Sequence, residues 1–567
     1  MRKIVILCLF LLSLASWAGA TDYYIKNAGN DEAAGTSDGA AWKTIAKVND
    51  FAEATGFADG DTINFNRGDT WSSDETLGYD GSEIDWGTIN GLTVQAYGTG
   101  AKPRLNGNTQ RPIFISDSDT SATGITNLAI KDIDVSGGDW WTSGWFDANV
   151  RIEYCSGIVI DGVDFNGHAG ASDNGPTGAL YIAVPHGNVE IKNCTIQNCI
   201  GIGGTLGEWG AIDCHGILLI WTVAASPAGP KTSGTISIHD NTIHDVEADC
   251  IQLMGMTTAT NVYDNKMYNF GENAMDFKGA HDTEIYHNEF YRGDYGLGGS
   301  GGGLGNLCFH NEGLYTCTDI IIRDNYIHTS DYIGIRMLHG TDVDIYRNYF
   351  KDVTCGIQCN NNTRVNVYNN VFNLAVAAAP YGSSLDAGIY FDAGYKNACT
   401  IFNNTFYLGA DHRFGLALYH ASVTARNNVI YCTRNNADCW PLRVAADVSP
   451  TVGYNVYYNP NHTNRVRWYS TTYSSSQEAT YKSAHDAGAI FSTPGIDFAN
   501  GKFYPDHVTD AVVDSGTSTG ASDAATGLRF DSTWTPSFSI VTVPDDATYD
   551  RGAYKFRAFR DSLINTM

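Results

Sequence analysis

Short stretches of alternating apolar and polar residues recur along the middle of the chain. Each contains the pattern apolar, any residue, polar, Asn, any residue, apolar, as in VYDNKM at residues 262–267. The asparagines that align in these copies are Asn241, Asn265, Asn288, Asn325, Asn348, Asn370, Asn404 and Asn428. Most neighbours in this series are 22 to 24 residues apart, and two are 37 and 34 apart. This repeat predicts an all-β solenoid of three-strand coils, a right-handed parallel β-helix with insertions in two coils.

The aligned asparagines predict a structural column without a catalytic role. Asn tolerates left-handed backbone angles at sharp turns, and its side-chain amide can satisfy buried peptide groups. Stacked amides can also hydrogen-bond from coil to coil at the strand spacing of about 4.8 Å. We therefore expect each asparagine to adopt a left-handed turn conformation and to bond to the asparagine of the next coil.

A second strand of each coil alternates with a period of two residues, as in AMDFKG at residues 274–279 and GIRMLH at residues 334–339. Alternate side chains of a strand point to opposite faces of its sheet. Predicted to face the interior are Ile251, Leu253, Met275, Phe277, Leu307, Phe309, Ile335, Met337, Ile389 and Phe391. Predicted to face solvent are two columns, first Gln252, Asp276, Cys308, Arg336, Gln358 and Tyr390, and second Met254, Lys278, His310, Leu338, Asn360 and Asp392.

The amino terminus has the features of a secretory signal. Arg2 and Lys3 precede an apolar run at residues 4–17, which ends in the small residues of Ala18-Gly19-Ala20. Such a run is too short for a membrane span and is typical of an export signal. We expect cleavage before Thr21 and a secreted product, extracellular or periplasmic, that is not bound to a membrane.

The repeat predicts four parts: a signal at residues 1–20, an N-terminal cap at 21–110, the β-helix at 111–460, and a C-terminal cap or small β-module at 461–567. Caps are expected because both ends of a solenoid expose apolar core and open strand edges. In the first cap, WKTIAKVNDFAEA has helical apolar spacing, and GDTINFNRGDTW and GLTVQAYGTG are expected to be strands.

The chain is strongly acidic, with a net charge of −27 at pH 7. Nucleic acid is excluded as a partner, because its affinity depends on many Lys and Arg contacts to phosphate. An acidic polysaccharide remains a candidate partner, provided that a local basic patch or a bridging cation offsets the field of the protein. We expect a monomer that acts on a polysaccharide.

Twelve cysteines follow Cys8 of the expected signal. Export permits disulfides, and the pairs Cys308 with Cys317 and Cys432 with Cys439 are near enough in sequence to close surface loops. The alternative is that the cysteines are buried thiols, packed as small apolar side chains. The sequence leaves both interpretations open.

Several segments together resemble a known superfamily. WKTIAKVN, GDTINFNRGDTW, VQAYGTGAKP, the N-x-F coils, VVDSG and RGAYKF are similar to segments of bacterial right-handed β-helix repeat proteins of the pectate-lyase-like superfamily. The resemblance covers most of the mature chain and implies the fold. It does not define the reaction, because that superfamily includes lyases, hydrolases, epimerases and binding proteins.

One segment, MDFKGAHDTEIYHNEF at residues 275–290, resembles a coil of polysaccharide lyase family 6, which includes alginate lyases and chondroitinase B. The resemblance implies that Lys278 is the catalytic lysine. The family has an arginine followed by His-Gly in the next coil, where this chain has His310. Arg336 and His339 come one coil later, and Glu272 stands alone where the family has a calcium-binding pair of glutamates.

The solvent-facing columns suggest a chemistry for this region. Coils that stack at about 4.8 Å place Lys278, His310 and Arg336 within about 10 Å of one another, beside Asp276. β-Elimination of a uronate polymer needs a neutralised carboxylate, a base near C5 and a proton donor for the leaving oxygen. Lys278 or His310 could be the base, and Arg336 could bind the carboxylate through two hydrogen bonds. The side chains expected to bind substrate are His339, Asn360, Tyr390 and Asp392.

Acidic residues in the loops before these strands are candidate calcium ligands, namely Glu247, Asp249 and Glu272. The leading hypothesis is a secreted lyase for a uronate-containing glycan such as alginate or pectate. Two alternatives stay open: a glycoside hydrolase that uses Asp249 and Asp276, and a non-catalytic carbohydrate-binding or cell-surface solenoid. In the last case Asp276 and Lys278 would be a solvated pair worth at most about 1 kcal/mol.

Overall fold

The structure is a computed structural model that describes residues 19–72, 75–78, 86–108, 111–116, 124–137, 147–168, 177–183, 185–200, 214–220, 234–256, 258–293, 305–310, 317–375, 386–394, 396–409, 412–435, 438–446, 448–496, 498, 526–528 and 540–542. The chain divides into two compact units, residues 1–202 with 232–237 and residues 203–231 with 238–567. Residues 1–18 of the expected signal and most of the expected C-terminal module after residue 498 lie outside the described residues.

The first unit consists mainly of short parallel strands. They are β1 (Asp22–Ile25), β2 (Thr62–Asn66), β3 (Thr70–Ser72), β4 (Ile89–Asn90), β5 (Thr93–Tyr97), β6 (Arg104–Asn106), β7 (Ile113–Ser116), β8 (Ile125–Thr126), β9 (Ala129–Lys131), β10 (Asp134–Ser136), β11 (Asp147–Glu153), β12 (Ser156–Asp161), β13 (Asp164–His168), β14 (Thr177–Ala183), β15 (His186–Lys192) and β16 (Thr195–Cys199). A 3-10 helix, Asp38–Ala40, precedes helix α1 (Ile45–Ala54). The hydroxyl of Thr44 caps α1 by accepting a hydrogen bond from the backbone N–H of Lys47.

The remaining strands belong to the second unit, except that β18 has residues in both units, and β42 and β43 form a separate antiparallel pair. They are β17 (Cys214–Ile220), β18 (Ile236–His239), β19 (Thr242–Val246), β20 (Ile251–Met256), β21 (Thr260–Tyr263), β22 (Lys266–Phe270), β23 (Met275–Tyr286), β24 (Glu289–Gly293), β25 (Gly305–His310), β26 (Thr318–Arg323), β27 (Tyr326–Tyr346), β28 (Tyr349–Tyr368), β29 (Val371–Leu374), β30 (Ala387–Phe391), β31 (Lys396–Asn397), β32 (Cys399–Phe402), β33 (Thr405–Leu408), β34 (Phe414–Leu418), β35 (Val423–Arg426), β36 (Val429–Cys432), β37 (Trp440–Val444), β38 (Thr451–Gly453), β39 (Val456–Tyr458), β40 (Asn464–Trp468), β41 (Thr471–Ser474), β42 (Thr526–Leu528) and β43 (Ile540–Thr542). The second unit also has a 3-10 helix, Ser475–Gln477, and helix α2 (Glu478–Ala484).

Parallel stacking begins at the first strand of the first unit. β1 pairs with β2, β2 with β5 and β5 with β9, all in parallel. Ile63 and Phe65, at alternate positions of β2, are fully buried. The coils therefore start near residue 22 and not near residue 110, where we expected them, because these first coils stack without the asparagine column. The helix and the strands expected in residues 42–100 are confirmed.

The asparagine column forms a continuous amide ladder in the second unit. Each Nδ2 donates to the Oδ1 of the next asparagine at 2.9 to 3.1 Å, from Asn241 through to Asn455. The ladder ends at Asp486, whose Oδ2 lies 3.3 Å from Nδ2 of Asn455. The predicted coil-to-coil bonding is confirmed, and it satisfies amides that are buried away from water.

The left-handed turn residue is not the asparagine itself but the residue before it. Asp240, Asp264, Asp324 and Arg347 all have φ between 53° and 55°. Each precedes an asparagine of the ladder, whose own φ is not positive. The expectation of left-handed asparagines is therefore wrong, because the side chain must point into the coil to reach the next amide, and the preceding residue makes the bend.

The second strand of each coil is built as the alternation predicts. All ten residues expected in the interior are fully buried, and the rings of Phe277 and Phe309 stack at 4.4 Å. Several of these strands contain a glycine that faces a core ring of the adjoining strand. A Cβ atom at Gly356 would lie 2.4 Å from Cδ1 of Phe372, and one at Gly388 would lie 2.5 Å from Cδ1 of Phe406. No larger residue fits there without displacing the core.

The twelve cysteines from Cys155 onward are buried thiols. The expected disulfides between Cys308 and Cys317 and between Cys432 and Cys439 are not formed, and the thiols pack in the core. Cys432 and Cys439 share a hydrogen bond, which lowers the pKa of Cys439, while burial raises the pKa of Cys432. The interpretation as small core residues describes the cysteines better than the interpretation as loop staples.

The parallel stack of the second unit changes character at β40. This strand pairs in parallel with β37 and antiparallel with β41, and α2 follows. Tyr481 of α2 is fully buried and meets the ring of Tyr457 edge to face at 5.8 Å. The described part of residues 461–498 therefore covers apolar core. Within the described ranges, no helix is both long enough and apolar enough to cross a membrane.

Candidate active site on the exposed sheet face

The register of the second strands forms the first predicted column in the order of the coils. Gln252 pairs with Asp276, Asp276 with Cys308 and Cys308 with Arg336. The column continues from Arg336 through Gln358 to Tyr390. In the second column Met254 pairs with Lys278, and Lys278 with His310. The structure therefore brings Asp276, Lys278, His310 and Arg336 together on one face. The expectation that the first column faces solvent is wrong for most of its members, since those that are buried are Gln252, Asp276, Cys308, Gln358 and Tyr390.

Asp276 is the centre of this group. Its Oδ1 lies 2.9 Å from Nε2 of His310, and its Oδ2 lies 3.8 Å from Nζ of Lys278 and 3.4 Å from Nε2 of Gln252. The Asp276 side chain is 5% exposed, whereas His310 and Lys278 are about one quarter exposed. A buried carboxylate thus orients two basic side chains that reach the surface.

Two glycines shape the strands that carry this group. Gly279 has φ of +82°, which lets the chain turn directly after Lys278 towards the next sheet of the coil. Gly305 lies beside Arg336, and a Cβ atom there would be 2.9 Å from Cβ of Arg336. The absence of a side chain at Gly305 leaves room for the arginine.

The side chain of Arg336 has a buried hydrogen-bond donor next to this group. Its Nε is buried and has no hydrogen-bond partner in the described part of the chain. The same is true of Oε1 of Gln358 and Oδ1 of Asn360 in the next coil. A buried polar atom without a partner costs about 1 to 3 kcal/mol, which a ligand that bonds to it would recover. Two adjacent coils therefore present unsatisfied groups next to the Asp276 cluster.

Comparison with solved structures finds similar chains of low sequence identity. A GH136 lacto-N-biosidase from Eubacterium ramulus is 12% identical, with a TM-score of 0.42 over 79% of this chain and 68% of that chain. The tailspike protein of Escherichia coli bacteriophage HK620, in complex with a pentasaccharide, is 12% identical, with a TM-score of 0.48 over 76% of each chain. The A-module of an Azotobacter vinelandii mannuronan C-5 epimerase is 12% identical, with a TM-score of 0.35 over 79% of this chain and 94% of that chain.

Comparison by sequence gives two results. No curated protein matches the chain. A family model described as "Right handed beta helix region" matches residues 230–372 and 307–430. The fold is a right-handed parallel β-helix. The matched region of the β-helix contains all four residues of the Asp276 cluster.

The surroundings of the site shift the pKa values of three side chains on the β-helix. Burial lowers the pKa of His339, and the nearby His310 lowers it further, so His339 is neutral at pH 7. Burial, followed by the charge of Asp276, raises the pKa of the Cys308 thiol, which is therefore not a nucleophile. Burial, followed by the charge of Asp392, raises the pKa of Tyr390 to about 12. Neutral His339 and Tyr390 are suited to hydrogen bonds with sugar hydroxyls.

Of the residues expected to bind substrate, His339 lies on β27, Asn360 on β28 and Tyr390 on β30, and Asp392 directly follows β30. Tyr390 is two coils beyond Arg336 in its column, and His339 pairs with Asn361 in the register of β27 and β28. The backbone N–H of Asp392 donates to the carbonyl of Cys359 at 3.0 Å, which continues the coil past Tyr390.

The acidic residues expected to bind calcium do not form a metal site. Asp249 is fully buried, and its Oδ1 accepts hydrogen bonds from the backbone N and the Nδ2 of Asn273 at 3.1 and 2.8 Å. Among the described residues, no three His, Cys, Asp or Glu side chains are grouped closely enough to hold a metal ion. Glu247, Asp249 and Glu272 therefore do not fit a calcium ion, since amide donors occupy the Asp249 carboxylate.

Sequence reasoning missed His215 and the linking role of Gln252. His215 is buried, with Nδ1 3.3 Å from Oδ2 of Asp249 and with no hydrogen-bond partner for Nε2 in the described part of the chain. The Nε2 of Gln252 lies 3.0 Å from Oδ2 of Asp249 and also faces Asp276. The signal for His215 was CHGILLI at residues 214–220, a strand pattern in a coil that lacks the asparagine motif.

Proposed function

We propose that this β-helix is a polysaccharide lyase that cleaves a uronate-containing glycan at the face formed by Asp276, Lys278, His310 and Arg336. The contact between Asp276 and His310, 2.9 Å long and next to Lys278, carries the proposal. Arg336 supports it, because its buried Nε lacks a hydrogen-bond partner in the described part of the chain and could bind a sugar carboxylate. Few cationic side chains occur in a chain of net charge −27, so their convergence here favours an anionic substrate.

We assign a role to each side chain in this proposal. Nε2–H of His310 donates to Asp276, so Nδ1 holds the lone pair and removes the proton from C5. The C–H electron pair forms the C4–C5 double bond, and the glycosidic oxygen leaves C4 with a proton from the Lys278 ammonium. Arg336 binds the uronate carboxylate and stabilises the negative charge that develops on it.

Cleavage products test the reaction class. Alginate, pectate and glycosaminoglycans are incubated with the protein, and ultraviolet absorbance and reducing ends are both followed. An unsaturated uronate at each new end supports the lyase. His310→Gln is expected to lower kcat/KM by about 100-fold or more, in the range of general base catalysis.

The matched control for that variant is His328→Gln, because His328 also pairs with a carboxylate, Glu289, at 3.1 Å but lies outside the cluster. The control is expected to keep the wild-type rate. Full activity in His310→Gln would refute the proposed base, and loss of activity in both variants would indicate a structural effect.

A glycoside hydrolase is the second candidate, because the amide of Gln252 links the carboxylates of Asp249 and Asp276. Paired carboxylates are what glycoside hydrolysis requires. Asp249 is fully buried with both oxygens facing amide donors, which disfavours direct contact with a substrate. New reducing ends without the double bond would identify the hydrolase, and glycan binding without cleavage would identify a binding protein.

The expected export completes the proposal. The signal at residues 1–20 would deliver the enzyme, as a monomer, outside the cytoplasm, where polysaccharide substrates occur. Expression of the full chain with Ala18 and Ala20 intact should yield a mature protein that starts at Thr21. An uncleaved product in the cytoplasm would contradict this part of the proposal.

A further inference from the structure

A second basic patch lies on the same sheet face of the second unit, further along the first column. Tyr390 pairs with Ala417, Ala417 with Arg443 and Arg443 with Arg467. Arg443 and Arg467 are thus direct neighbours across parallel strands, and both are partly exposed. Like charges opposite each other on neighbouring strands are destabilising, so the structure places two guanidinium groups where folding alone does not favour them.

Both guanidinium groups lie over aromatic rings. The guanidinium carbon of Arg443 lies 5.0 Å from the ring centre of Phe414 and 5.4 Å from that of Tyr419. That of Arg467 lies 4.8 Å from the ring centre of Trp440. The Nε of Arg467 donates to the backbone carbonyl of Tyr469 at 3.3 Å. A guanidinium stacked on a ring keeps its remaining edge N–H donors available for a second partner, and two such groups side by side form a rigid set of donors.

Within the described ranges neither Arg443 nor Arg467 forms a salt bridge, whereas Arg323, Arg347 and Arg413 each contact a carboxylate. The net negative charge of the chain attracts cations. Two neighbouring arginines without a salt bridge to a described residue form a local region of positive charge. An anion from outside the chain would neutralise both.

Two further features point to a ligand at this patch. Trp440 is 4% exposed, and its Nε1 has no hydrogen-bond partner in the described part of the chain. Ala417, between Tyr390 and Arg443 in the column, is the smallest side chain of the series. The ring centres of Tyr390 and Tyr419 lie 5.3 Å apart beside Ala417. Aromatic rings next to paired cations fit a sugar ring that bears an acidic group.

We propose that Arg443 and Arg467 bind the carboxylate or sulfate group of an acidic sugar unit, in a glycan that also occupies the Asp276 cluster. Four coil steps separate Arg336 from Arg443, which corresponds to about 19 Å along the column. The patch is therefore a distal subsite that anchors the chain of the substrate away from the cleaved bond. The link to cleavage rests on the proposed function, whereas anion binding by the patch does not.

Binding is measured by isothermal titration calorimetry with three probes of equal length, a neutral, a uronate and a sulfated oligosaccharide. The test protein is the double variant Arg443→Gln with Arg467→Gln. The control is the double variant Arg364→Gln with Arg426→Gln, which changes the net charge equally at other sites. The test variant is expected to bind at least one acidic probe about ten-fold more weakly and the neutral probe unchanged, while the control binds all three as the wild type does.

Each outcome is decisive for the subsite. Weaker binding of only the uronate or only the sulfated probe identifies the anionic group, and equal weakening in the control overturns the proposal. Unchanged acidic binding in the test variant overturns it as well. If the double variant does not fold, the single variants Arg443→Gln and Arg467→Gln are titrated with the same probes. Weaker acidic binding in either one supports the subsite, and unchanged acidic binding in both overturns it.

The same variants separate this inference from the proposed function. For a substrate long enough to span both sites, the test variant should raise KM and leave kcat within about two-fold, and for a short substrate neither should change. Altered binding without any cleavage by the wild type would refute the lyase and retain the subsite. Cleavage by the wild type with unchanged binding and KM in the test variant would refute the subsite alone.

Discussion

The Nε2 atom of His310 lies 2.9 Å from the Oδ1 atom of Asp276, although 34 residues separate them in the sequence. The contact exists because Lys278 pairs with His310 and Asp276 with Cys308 in adjoining coils of the solenoid. Coil stacking therefore converts a sequence repeat into a pair of a buried carboxylate and a partly exposed histidine.

Replacing Asp276 by Asn should lower kcat/KM on a uronate polymer by about 100-fold or more. The amide can donate to Nε2 of His310, which favours the tautomer in which Nδ1 carries the proton and cannot act as a base. Asp264→Asn is the control, because Asp264 faces His287 at 3.7 Å outside the cluster. Equal rates for Asp276→Asn and the wild type would show that His310 needs no carboxylate.

Replacing Asn348 by Ala should lower the free energy of unfolding by about 1 to 3 kcal/mol, because it leaves buried amides unpaired. Asn348 is fully buried and donates to Oδ1 of Asn370 and to the carbonyl of Ile322. Chemical denaturation measures the loss. Asn366→Ala, which removes two partly buried bonds, one to Asp344 and one from the Thr400 hydroxyl, should cost less, and a reversed order would contradict the structural role of the ladder.

Replacing Gly356 by Ala should destabilise the fold by about 1 to 3 kcal/mol through overpacking. The added methyl group would meet Cδ1 of Phe372 at 2.4 Å and the carbonyl oxygen of Gly388 at 2.5 Å. Gly39→Ala, with no atom within 4 Å of the new methyl group, is the control. Thermal unfolding of both variants measures the difference. Equal melting temperatures would show that the core around Gly356 is not packed as described.

Acidification should destabilise the C-terminal end of the solenoid through His485. Burial lowers the pKa of His485 below its ordinary value of 6.5 in the folded protein. The unfolded chain therefore binds a proton first, so stability is full above about pH 6.5 and falls as the pH drops towards the folded pKa. His485→Gln should reduce this dependence in denaturation experiments between pH 5 and 8, which are typical limits for histidine titration. An unchanged pH profile in the variant would contradict the assignment.

The sequence predicts the face of the candidate site well, because two periods determine it. The alternation in AMDFKG and GIRMLH defines which side chains point outward, and the asparagine spacing defines which coils are neighbours. Together they place Asp276, Lys278, His310 and Arg336 on one face without any structure. The contact distances depend on side-chain rotamers, which no repeat specifies.

Other features could not be predicted because they depend on packing between segments that the repeat does not cover. His215 contacts Asp249 across a coil that has no asparagine motif. The sequence also did not indicate that Asn273, one coil further, supplies amide donors to Asp249. The first coils were assigned to a cap because they stack through Ile63 and Phe65 and lack the amide ladder.

The crystal structure of the Asp276→Asn variant with a bound oligouronate tests the proposed active centre most directly. The account predicts that the C5 atom of one sugar lies within about 3.5 Å of Nδ1 of His310, as a near-attack geometry requires. It also predicts that the carboxylate of that sugar bonds to the guanidinium of Arg336. An oligouronate bound on another face, or one whose carboxylate points away from Arg336, would contradict it.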